Sequence, residues 1–243
     1  MPAQRVAAVE RALGILLAFR QGEASLTLAE LSRRTGRYKS TILRLAATLE
    51  AQGFMVRTAD GSFRLGPALL RLGLLYQESI QAQDIIFQGL VELMRATGES
   101  ARFYIREGDR RVLLLGVDSP QPLREHVLPG YSAPLDATST GQAFRWVERP
   151  APERPRLPIH TSGIKDPLTS SCAAPLVAAD GVCLGVVSIS GPTARFTWPK
   201  RRAAGKKLME VVAGLATQLR GQAAVPGRTS RAAAKRRIRR RPA

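Results

Sequence analysis

Residues 27–65 read TLAELSRRTGRYKSTILRLAATLEAQGFMVRTADGSFRL, and this stretch predicts the fold of the first part of the chain. Thr27 and Glu30 have the spacing of a capping box, in which the hydroxyl and the carboxylate each bind a backbone N–H at the start of a helix. Gly36 ends that helix, because glycine readily adopts the left-handed conformation that closes helices. A second helix is predicted over residues 38–52.

Two short strands follow the second helix. They are predicted over residues 54–58 and 62–65, on either side of the turn Ala-Asp-Gly at 59–61. Two helices joined by a tight turn and followed by a β-hairpin form the outline of a winged helix-turn-helix. In such a domain the second helix enters the major groove of DNA.

The second helix has two unlike faces. An apolar stripe of helical period should pack on a core, and it consists of Ile42, Leu45, Ala46 and Leu49. The opposite face carries guanidinium and hydroxyl groups without a carboxylate, namely Arg37, Ser40, Thr41, Arg44 and Thr48. Such a face suits phosphates and base edges. The alternative is a small helical domain whose basic face meets only water, and the combined features favour DNA binding.

A helix before this stretch should pack behind the other two. It ends near Gly22, and its apolar positions are Val6, Val9, Leu13 and Leu16 or Leu17. A further helix is predicted from Pro67, within residues 67–82, and contains exposed leucines. Leucines exposed in this way need a surface to pack on, and a partner subunit is one candidate.

The charge of the chain points to a polyanionic partner. The 37 Lys and Arg residues outnumber the 19 Asp and Glu residues and give a net charge of +18. Nucleic acid is the first candidate for such a charge and an acidic membrane the second. Residues 226–243 hold eight Lys or Arg and no acid. We expect this tail to be disordered and to add salt-dependent affinity for DNA, with RNA or acidic lipid as alternatives.

The second part of the chain alternates strands and helices and predicts an α+β domain, an antiparallel sheet covered mainly by helices. Helices are predicted over 84–97, from Thr138 or Ser139, and over 200–220, and strands over 100–106, 111–117, 123–128, 171–178 and 182–190. In the first strand Ala101, Phe103 and Ile105 alternate with Arg102, Tyr104 and Arg106, which is typical of a half-buried strand.

The last strand carries the clearest candidate for a small-molecule site. Its period of two places Ser188 and Ser190 on one face with Leu184 and Val186, and Cys183 on the other face. Buried hydroxyls need partners, so these serines either bond nearby backbone or water, or line a pocket.

The sequence offers little for catalysis or metal binding. His126 and His160 are isolated, no glycine-rich phosphate loop is present, and Cys172 and Cys183 lack zinc-ligand spacing. Two cysteines without a secretory leader predict reduced thiols in the cytoplasm. No apolar run approaches about 18 residues, so we expect no membrane span. We therefore predict neither an enzyme nor a cofactor or metal site.

Several blocks in order resemble the IclR family of bacterial transcriptional regulators. They are RALGILLAF, LTLAELSRRTG, KSTILRLAATLEAQGF, FRLGP, SPQPLR, LDATSTGQA, CAAPL and VSISGP. The resemblance implies an N-terminal winged helix-turn-helix domain, a linker helix that contributes to dimer contacts, and a C-terminal GAF/PAS-like effector-binding domain. The winged helix-turn-helix domain corresponds to residues 1–66, the linker helix to 67–82 and the effector-binding domain to 83–221. The basic tail follows at 222–243.

The resemblance also implies site residues. Those near DNA are Arg37, Lys39, Ser40, Thr41 and Arg44 on the second helix and Arg57 and Arg64 on the hairpin. Those near the effector are Ser139, Thr140, Gly141, Ser171, Ser188 and Ser190. The chain departs from the family pattern in three places. Ser171 stands where cysteine is usual, the acidic residue before it is missing unless Asp166 replaces it, and the segment around 145–165 that covers the pocket is shortened.

The sequence thus predicts a homo-oligomeric regulator, a dimer or a tetramer, that binds double-stranded operator DNA and responds to a small organic acid. A DNA-binding architectural protein with a degraded pocket and no ligand is the alternative. A third class is an enzyme or nucleic-acid chaperone that uses basic surfaces without sequence preference.

Overall fold

The computed structural model describes residues 6–79 and 82–219. They divide into two compact units, residues 6–79 and residues 82–219, which we call the first and the second unit. The predicted basic tail lies outside the described residues.

The first unit is a winged helix-turn-helix, as predicted. Its elements are α1 (Ala7–Leu16), α2 (Leu28–Thr35), α3 (Lys39–Ala51), β1 (Met55–Arg57), β2 (Phe63–Leu65) and α4 (Pro67–Glu78). The hairpin β1–β2 is antiparallel, and Leu26 bridges to Phe63 at its edge. This bridge ties the segment before α2 to the wing.

The helix α2 begins and ends near the predicted residues, but its cap is only half of a capping box. The Thr27 hydroxyl accepts from the Glu30 backbone N–H at 3.2 Å, and Gly36 closes the helix at φ +65°. The Glu30 carboxylate, however, accepts hydrogen bonds from Arg33 and Arg34, and these bonds hold its pKa at about 2. Two guanidinium groups compete better for a carboxylate than one neutral backbone N–H does.

The core of the first unit confirms the predicted stripe on α3. Ile42, Ala46 and Leu49 are buried and Leu45 is half-buried. The prediction for α1 was right for Leu16, which packs on the core, but wrong for Val6, Val9 and Leu13, whose exposed fractions are 62%, 54% and 52%. The helix also ends at Leu16, before the predicted end near Gly22. The face that meets the core contains Ala12, Ile15 and Leu16. Two apolar stripes run along α1, and helical periodicity alone cannot tell which one is buried.

The second unit is the predicted α+β domain. Its elements are α5 (Gln83–Thr97), β3 (Ser100–Glu107), β4 (Arg110–Val117), β5 (Ser132–Pro134), α6 (Ser139–Trp146), a short 3-10 turn (Ala151–Glu153), β6 (Ile159–Ser162), β7 (Thr169–Val177), β8 (Cys183–Pro192) and α7 (Trp198–Gln218). The six strands form one antiparallel sheet in the order β5-β4-β3-β8-β7-β6. Helices α5 and α7 pack on one face, where Phe103 and Val187 are buried, and α6 packs on the other with Phe144 against Val186.

Two strand predictions in the second unit need correction. Residues 123–128, expected to form a strand, have no regular structure, and the short strand β5 pairs with β4 instead. Pro122 and Pro129 flank that segment and disfavour a continuous ladder. The strand β6 was not predicted, because it directly follows a proline-rich stretch.

The faces of two strands also differ from the prediction. The strand β3 is buried on both faces, and the exposed fraction of Arg102 is 1%. In β8 the register against β7 shifts between Leu176 and Val177. This bulge turns Cys183 toward the α6 side of the sheet, together with Val186 rather than Val187, because an extra residue reverses the alternation of side chains.

Candidate nucleic-acid interface and effector pocket

The first candidate site is the outer face of α3, which we call the recognition surface. The cap residue Tyr38 has extended backbone, and helix α3 begins at Lys39. The side chains of Arg37, Lys39, Ser40 and Arg44 are exposed. Within the described residues none of these four side chains has a hydrogen-bond or ion-pair partner. Unpaired cations and hydroxyls on a convex helix face are what phosphate and base-edge contacts require.

The remaining predicted DNA-binding residues differ in the exposure of their side chains and in the contacts that these side chains make. Thr41 is half-buried. On the wing, Arg64 is exposed, whereas the Arg57 guanidinium lies 4.8 Å from the centre of the Phe63 ring and its Nε lies 3.6 Å from a Glu50 carboxylate oxygen. Arg57 is therefore held against the hairpin, and Arg64 is the more available cation.

Apolar groups on the recognition surface were not singled out from the sequence. Tyr38 is 85% exposed, and Leu43 and Ala47 are exposed beside Arg44. Residues 43 and 47 stand one helical turn apart and therefore share a stripe. Looking only for polar groups overlooks these two residues. The predicted apolar stripe of α3 nevertheless excludes both from the core, and this would have shown that they are exposed.

The second candidate site is a small pocket in the second unit, with a cavity volume of about 50 Å³ and partly open to solvent. Hydroxyl groups dominate its wall, together with Arg111, Lys165 and one carboxylate, Glu125. The hydroxyl-bearing residues are Tyr104, Tyr131, Thr138, Thr140, Thr161, Thr169, Ser171, Ser188 and Ser190, and Ile164 completes the lining. Four predicted effector residues thus line this pocket: Thr140, Ser171, Ser188 and Ser190.

The other two predicted effector residues, Ser139 and Gly141, are not among the lining residues and shape the wall from behind. The Ser139 hydroxyl lies 2.7 Å from the Ser171 hydroxyl, and its backbone N–H donates to Thr161 Oγ1 at 3.0 Å. A Cβ on Gly141 would lie 2.7 Å from the backbone nitrogen of Asp136 and closer still to its carbonyl oxygen. Gly141 therefore allows α6 to approach the preceding loop closely.

Arg111 is a buried cation whose charge is already paired. Its Nη1 donates to Asp136 Oδ1 at 2.7 Å and to Thr138 Oγ1 at 2.6 Å. Partial burial on its own would raise the pKa of the Asp136 carboxyl, but the hydrogen bonds from Arg111 and Thr138 outweigh it and keep that pKa below its usual value. This triad fixes the loop that leads into α6.

Arg102 lies directly behind the serine face of β8. Its Nη1 donates to the Ser190 hydroxyl at 3.2 Å, and its Nη2 donates to Asp118 Oδ1 at 3.1 Å and to the Glu125 carbonyl oxygen at 2.5 Å. Nearby, burial and the Glu125 charge raise the pKa of Tyr104 to about 12. Sequence reasoning missed Arg102, because the alternation in β3 suggested an exposed side chain.

The mouth of the pocket is bordered by the loop between β6 and β7. Lys165 in this loop places its ammonium group 4.7 Å from the centre of the Tyr131 ring, and the neighbouring Ile164 is 53% exposed. Asp166, considered as a replacement for the family's acidic residue, is exposed and its carboxylate accepts from the Leu168 backbone N–H at 2.9 Å. It is not one of the lining residues.

Of the residues considered for catalysis, Cys172 and His160 are cross-strand partners in β7 and β6, but no hydrogen bond joins their side chains in the described part of the chain. Cys172 is buried in the apolar core under α7, and burial raises the pKa of its thiol to about 12. His126 is exposed, with Nδ1 2.6 Å from Asp118, and His160 packs edge-on against Trp198. Burial and then the Arg201 charge lower the pKa of His160.

Neither a metal cluster nor a membrane span occurs in the described part of the chain. Residues 6–79 and 82–219 contain no group of three or more His, Cys, Asp or Glu able to hold a metal ion. None of their helices is long and apolar enough to cross a membrane.

Comparison with known proteins assigns the first unit directly. The model of the IclR helix-turn-helix domain matches residues 8–59. The HTH-type transcriptional regulator KipR of Bacillus subtilis is 29% identical over 120 residues, which are 49% of this chain and 48% of that protein. The chain thus aligns with about half the length of this relative.

Solved structures extend the likeness in fold to most of the chain. An IclR family transcriptional regulator from Brucella abortus superposes with a TM-score of 0.75 at 22% identity, covering 89% of this chain and 94% of that chain. An IclR homolog from Microbacterium hydrocarbonoxydans, solved in complex with 4-hydroxybenzoate, gives a TM-score of 0.67 at 17% identity and covers 88% and 99%. The curated relatives are regulators of transcription rather than enzymes. Residues 8–59 are thus an IclR helix-turn-helix domain, and the chain as a whole has the fold of the solved IclR regulators that it resembles.

Proposed function

We propose that this protein is a sequence-specific DNA-binding regulator of transcription whose second unit binds a small acidic metabolite that modulates operator binding. The observation that carries the DNA-binding part is the recognition surface, where Arg37, Lys39, Ser40 and Arg44 are exposed and unpaired in the described part of the chain. Cations that have no internal partner can exchange counterions for phosphates, and guanidinium groups can bind guanine edges.

The pocket supports the effector part of the proposal. Its hydroxyl-rich wall at Thr140, Ser171, Ser188 and Ser190, with Lys165 at the mouth, offers hydrogen-bond donors and a positive charge to a carboxylate. The Microbacterium hydrocarbonoxydans homolog was solved with 4-hydroxybenzoate, itself a small carboxylate. A ligand at this site would act on DNA binding only if it bound two arrangements of the protein with different affinity.

We also propose that the protein is a homodimer or a tetramer. Exposed leucines on α4 support a contact with a second copy, namely Leu70, Leu72, Leu74 and Leu75. A pseudo-palindromic operator would match a two-fold dimer. A solution mass measurement by light scattering tests this part, and a monomer at micromolar concentration would contradict it.

Genome-wide mapping of bound DNA, followed by binding to one mapped site and to random DNA, tests the regulator proposal. Arg44→Ala should weaken operator binding by about 1–3 kcal/mol, because a guanidinium bound to a base discriminates by that amount. The matched control is Arg95→Ala, which removes an exposed arginine from α5 in the second unit.

Two outcomes would argue against parts of this proposal, and a third would support its effector part. Equal losses on operator and random DNA would make Arg44 a phosphate contact. Equal affinity of the unmodified protein for operator and random DNA would contradict sequence-specific regulation. Saturable stabilisation by an organic acid in a thermal-shift screen would contradict the ligandless architectural alternative.

A further inference from the structure

We propose that the ligand of the pocket is a small acid that also carries a hydrogen-bond donor, a hydroxyl or an ammonium group, and that the Glu125 carboxylate accepts from this donor. This inference rests on the effector part of the proposed function. The inference adds to the proposed function that the ligand has a hydrogen-bond donor facing Glu125, and that Glu125 contributes to ligand selectivity.

The backbone of Glu125, rather than its side chain, anchors the segment between β4 and β5. Its carbonyl oxygen accepts from Arg102 Nη2 at 2.5 Å and from the Ser100 hydroxyl at 3.4 Å. Any residue at position 125 could supply this carbonyl. The attachment of the segment to the sheet therefore gives no reason for a carboxylate at the pocket wall.

The Glu125 carboxylate itself has unused acceptor capacity. Its closest ion-pair contact is Arg102 Nη1 at 3.9 Å, which is beyond hydrogen-bond distance. Within residues 6–79 and 82–219 no side chain or backbone group donates a hydrogen bond to it. Arg102 already has closer partners in Asp118 and Ser190. The Glu125 side chain lines the pocket and is 25% exposed, so a ligand that displaces water from its carboxylate has to donate a hydrogen bond in return.

The rest of the wall restricts what that donor can belong to. Arg111 is committed to Asp136 and Thr138, so it does not neutralise Glu125. The hydroxyls of Ser171, Ser188 and Thr140 can bind an acid group. A simple monocarboxylate would meet these hydroxyls but would add a like charge near Glu125 and leave its oxygens unbonded. An acid with a donor satisfies both ends of the pocket.

Matched sets of acids that share one carbon skeleton test the inference on the purified full chain. The first set is propionate, lactate and alanine, and the second is 3-phenylpropionate, 3-phenyllactate and phenylalanine. Within each set only the group on carbon 2 changes, from hydrogen to hydroxyl to ammonium. Isothermal titration calorimetry gives Kd for each acid with the unmodified protein, with Glu125→Gln and with the control Glu107→Gln, which changes an exposed carboxylate at the far end of β3.

We expect the donor-bearing members of at least one set to bind about 10-fold or more tightly than the parent acid, as a hydrogen bond to a charged group implies. Tighter binding of the hydroxy acid would identify a neutral donor, and tighter binding of the amino acid a cation. Glu125→Gln should remove most of the preference for the ammonium form and leave the Tm close to that of the unmodified protein, because the backbone carbonyl stays. Glu107→Gln should keep the preference.

Three results would overturn the inference: equal or tighter binding of the parent acids, absence of binding by all six acids, or a preference that Glu125→Gln leaves unchanged. A large fall in Tm with unchanged preference would make Glu125 a structural partner of Arg102. Operator binding is measured on the same preparations without ligand. Loss of the donor preference with operator binding intact would sink only this inference, whereas absence of operator preference would sink the proposed regulator.

Discussion

The recognition surface and the pocket both contain basic side chains, but these are exposed and unpaired on the surface and buried and paired at the pocket. On the recognition surface Arg44 and Lys39 end in solvent. In the pocket wall Arg111 is buried and paired with Asp136, and behind the wall Arg102 is buried and paired with Asp118. A surface that meets a polyanion benefits from unpaired cations, because binding releases their counterions. A pocket for a small molecule needs walls that do not move, and there the cations build the wall. The same change, arginine to alanine, should therefore have different consequences in the two places.

The largest expected effect is on the stability of the second unit in Arg102→Ala. The change removes the donor to Asp118, to Ser190 and to the Glu125 carbonyl from a site where the arginine is 1% exposed. We expect a loss of about 3 kcal/mol in the free energy of unfolding, as for other broken buried pairs. Both tryptophans, Trp146 and Trp198, lie in the second unit, so urea unfolding followed by tryptophan fluorescence reports on this unit.

Arg44→Ala is the matched variant for this comparison, because it removes an exposed and unpaired arginine. Its unfolding free energy should stay within about 0.5 kcal/mol of the unmodified protein. Similar losses in both variants would contradict the distinction between a paired wall and an unpaired surface.

A smaller effect is expected from Gly141→Ala in the wall of the pocket. The added methyl group would overlap the backbone of Asp136, so α6 or its preceding loop must shift. Overpacking of this kind costs about 1–3 kcal/mol. The control is Gly214→Ala in α7, where nothing lies within 4 Å of the added atom, and where alanine should raise stability by about 0.5–1 kcal/mol. A neutral Gly141→Ala in the same fluorescence assay would show that the wall is adaptable.

The third prediction concerns pH and the ion pair of Asp136. Hydrogen bonds from Arg111 and Thr138 lower the folded-state pKa of this carboxyl. Its contribution to the free energy of unfolding is therefore complete above the unfolded-state pKa near 3.8, and it is lost as the pH falls through the lower folded-state pKa. Because the carboxylate is partly exposed, solvent screens the ion pair, and we expect it to contribute only about 1 kcal/mol to the free energy of unfolding. Asp136→Asn should flatten the fall in Tm below about pH 4, compared with the unmodified protein. An unchanged slope would mean that other carboxyls dominate acid unfolding.

The two regions also differ in how far the sequence predicts them. The recognition surface depends on signals within one short stretch: Thr27 caps α2, Gly36 ends it, and the apolar stripe of α3 leaves Arg44 outside. The pocket depends on contacts between distant residues. Ser190 is 88 positions from its partner Arg102, and no period or motif in either segment indicates that contact.

In the second unit, period-two alternation predicted only those features that do not depend on contacts between distant residues. It placed Ser188 and Ser190 on one face, and both line the pocket. It misplaced Cys183, because a bulge is set by the register with β7. It also predicted a half-buried β3, because the segment that covers Arg102 gains its position only through tertiary hydrogen bonds. In α1 two apolar stripes were equally regular, and packing chose between them.

The smallest effect is expected on the recognition surface, from apolar rather than charged groups. Leu43 and Ala47 are exposed beside Arg44 and form one stripe on α3. If this face enters the major groove, their methyl groups can contact the C5-methyl group of thymine. Replacing a contacted thymine by deoxyuridine removes only that methyl group, so operator affinity should fall by about 0.8 kcal/mol, the value of one buried methylene.

A double-mutant cycle separates this contact from a general change in the DNA. In Leu43→Ala the loss on deoxyuridine substitution should shrink at the thymine that Leu43 contacts and persist at other thymines, because only the contacted pair is coupled. Ser40→Ala, which changes a neighbouring polar position of the same face, should leave the loss unchanged. Equal losses in all three proteins at every thymine would mean that Leu43 contacts no thymine methyl group, and the contrast of the recognition surface with the pocket would then rest on its unpaired cations Arg37, Lys39 and Arg44.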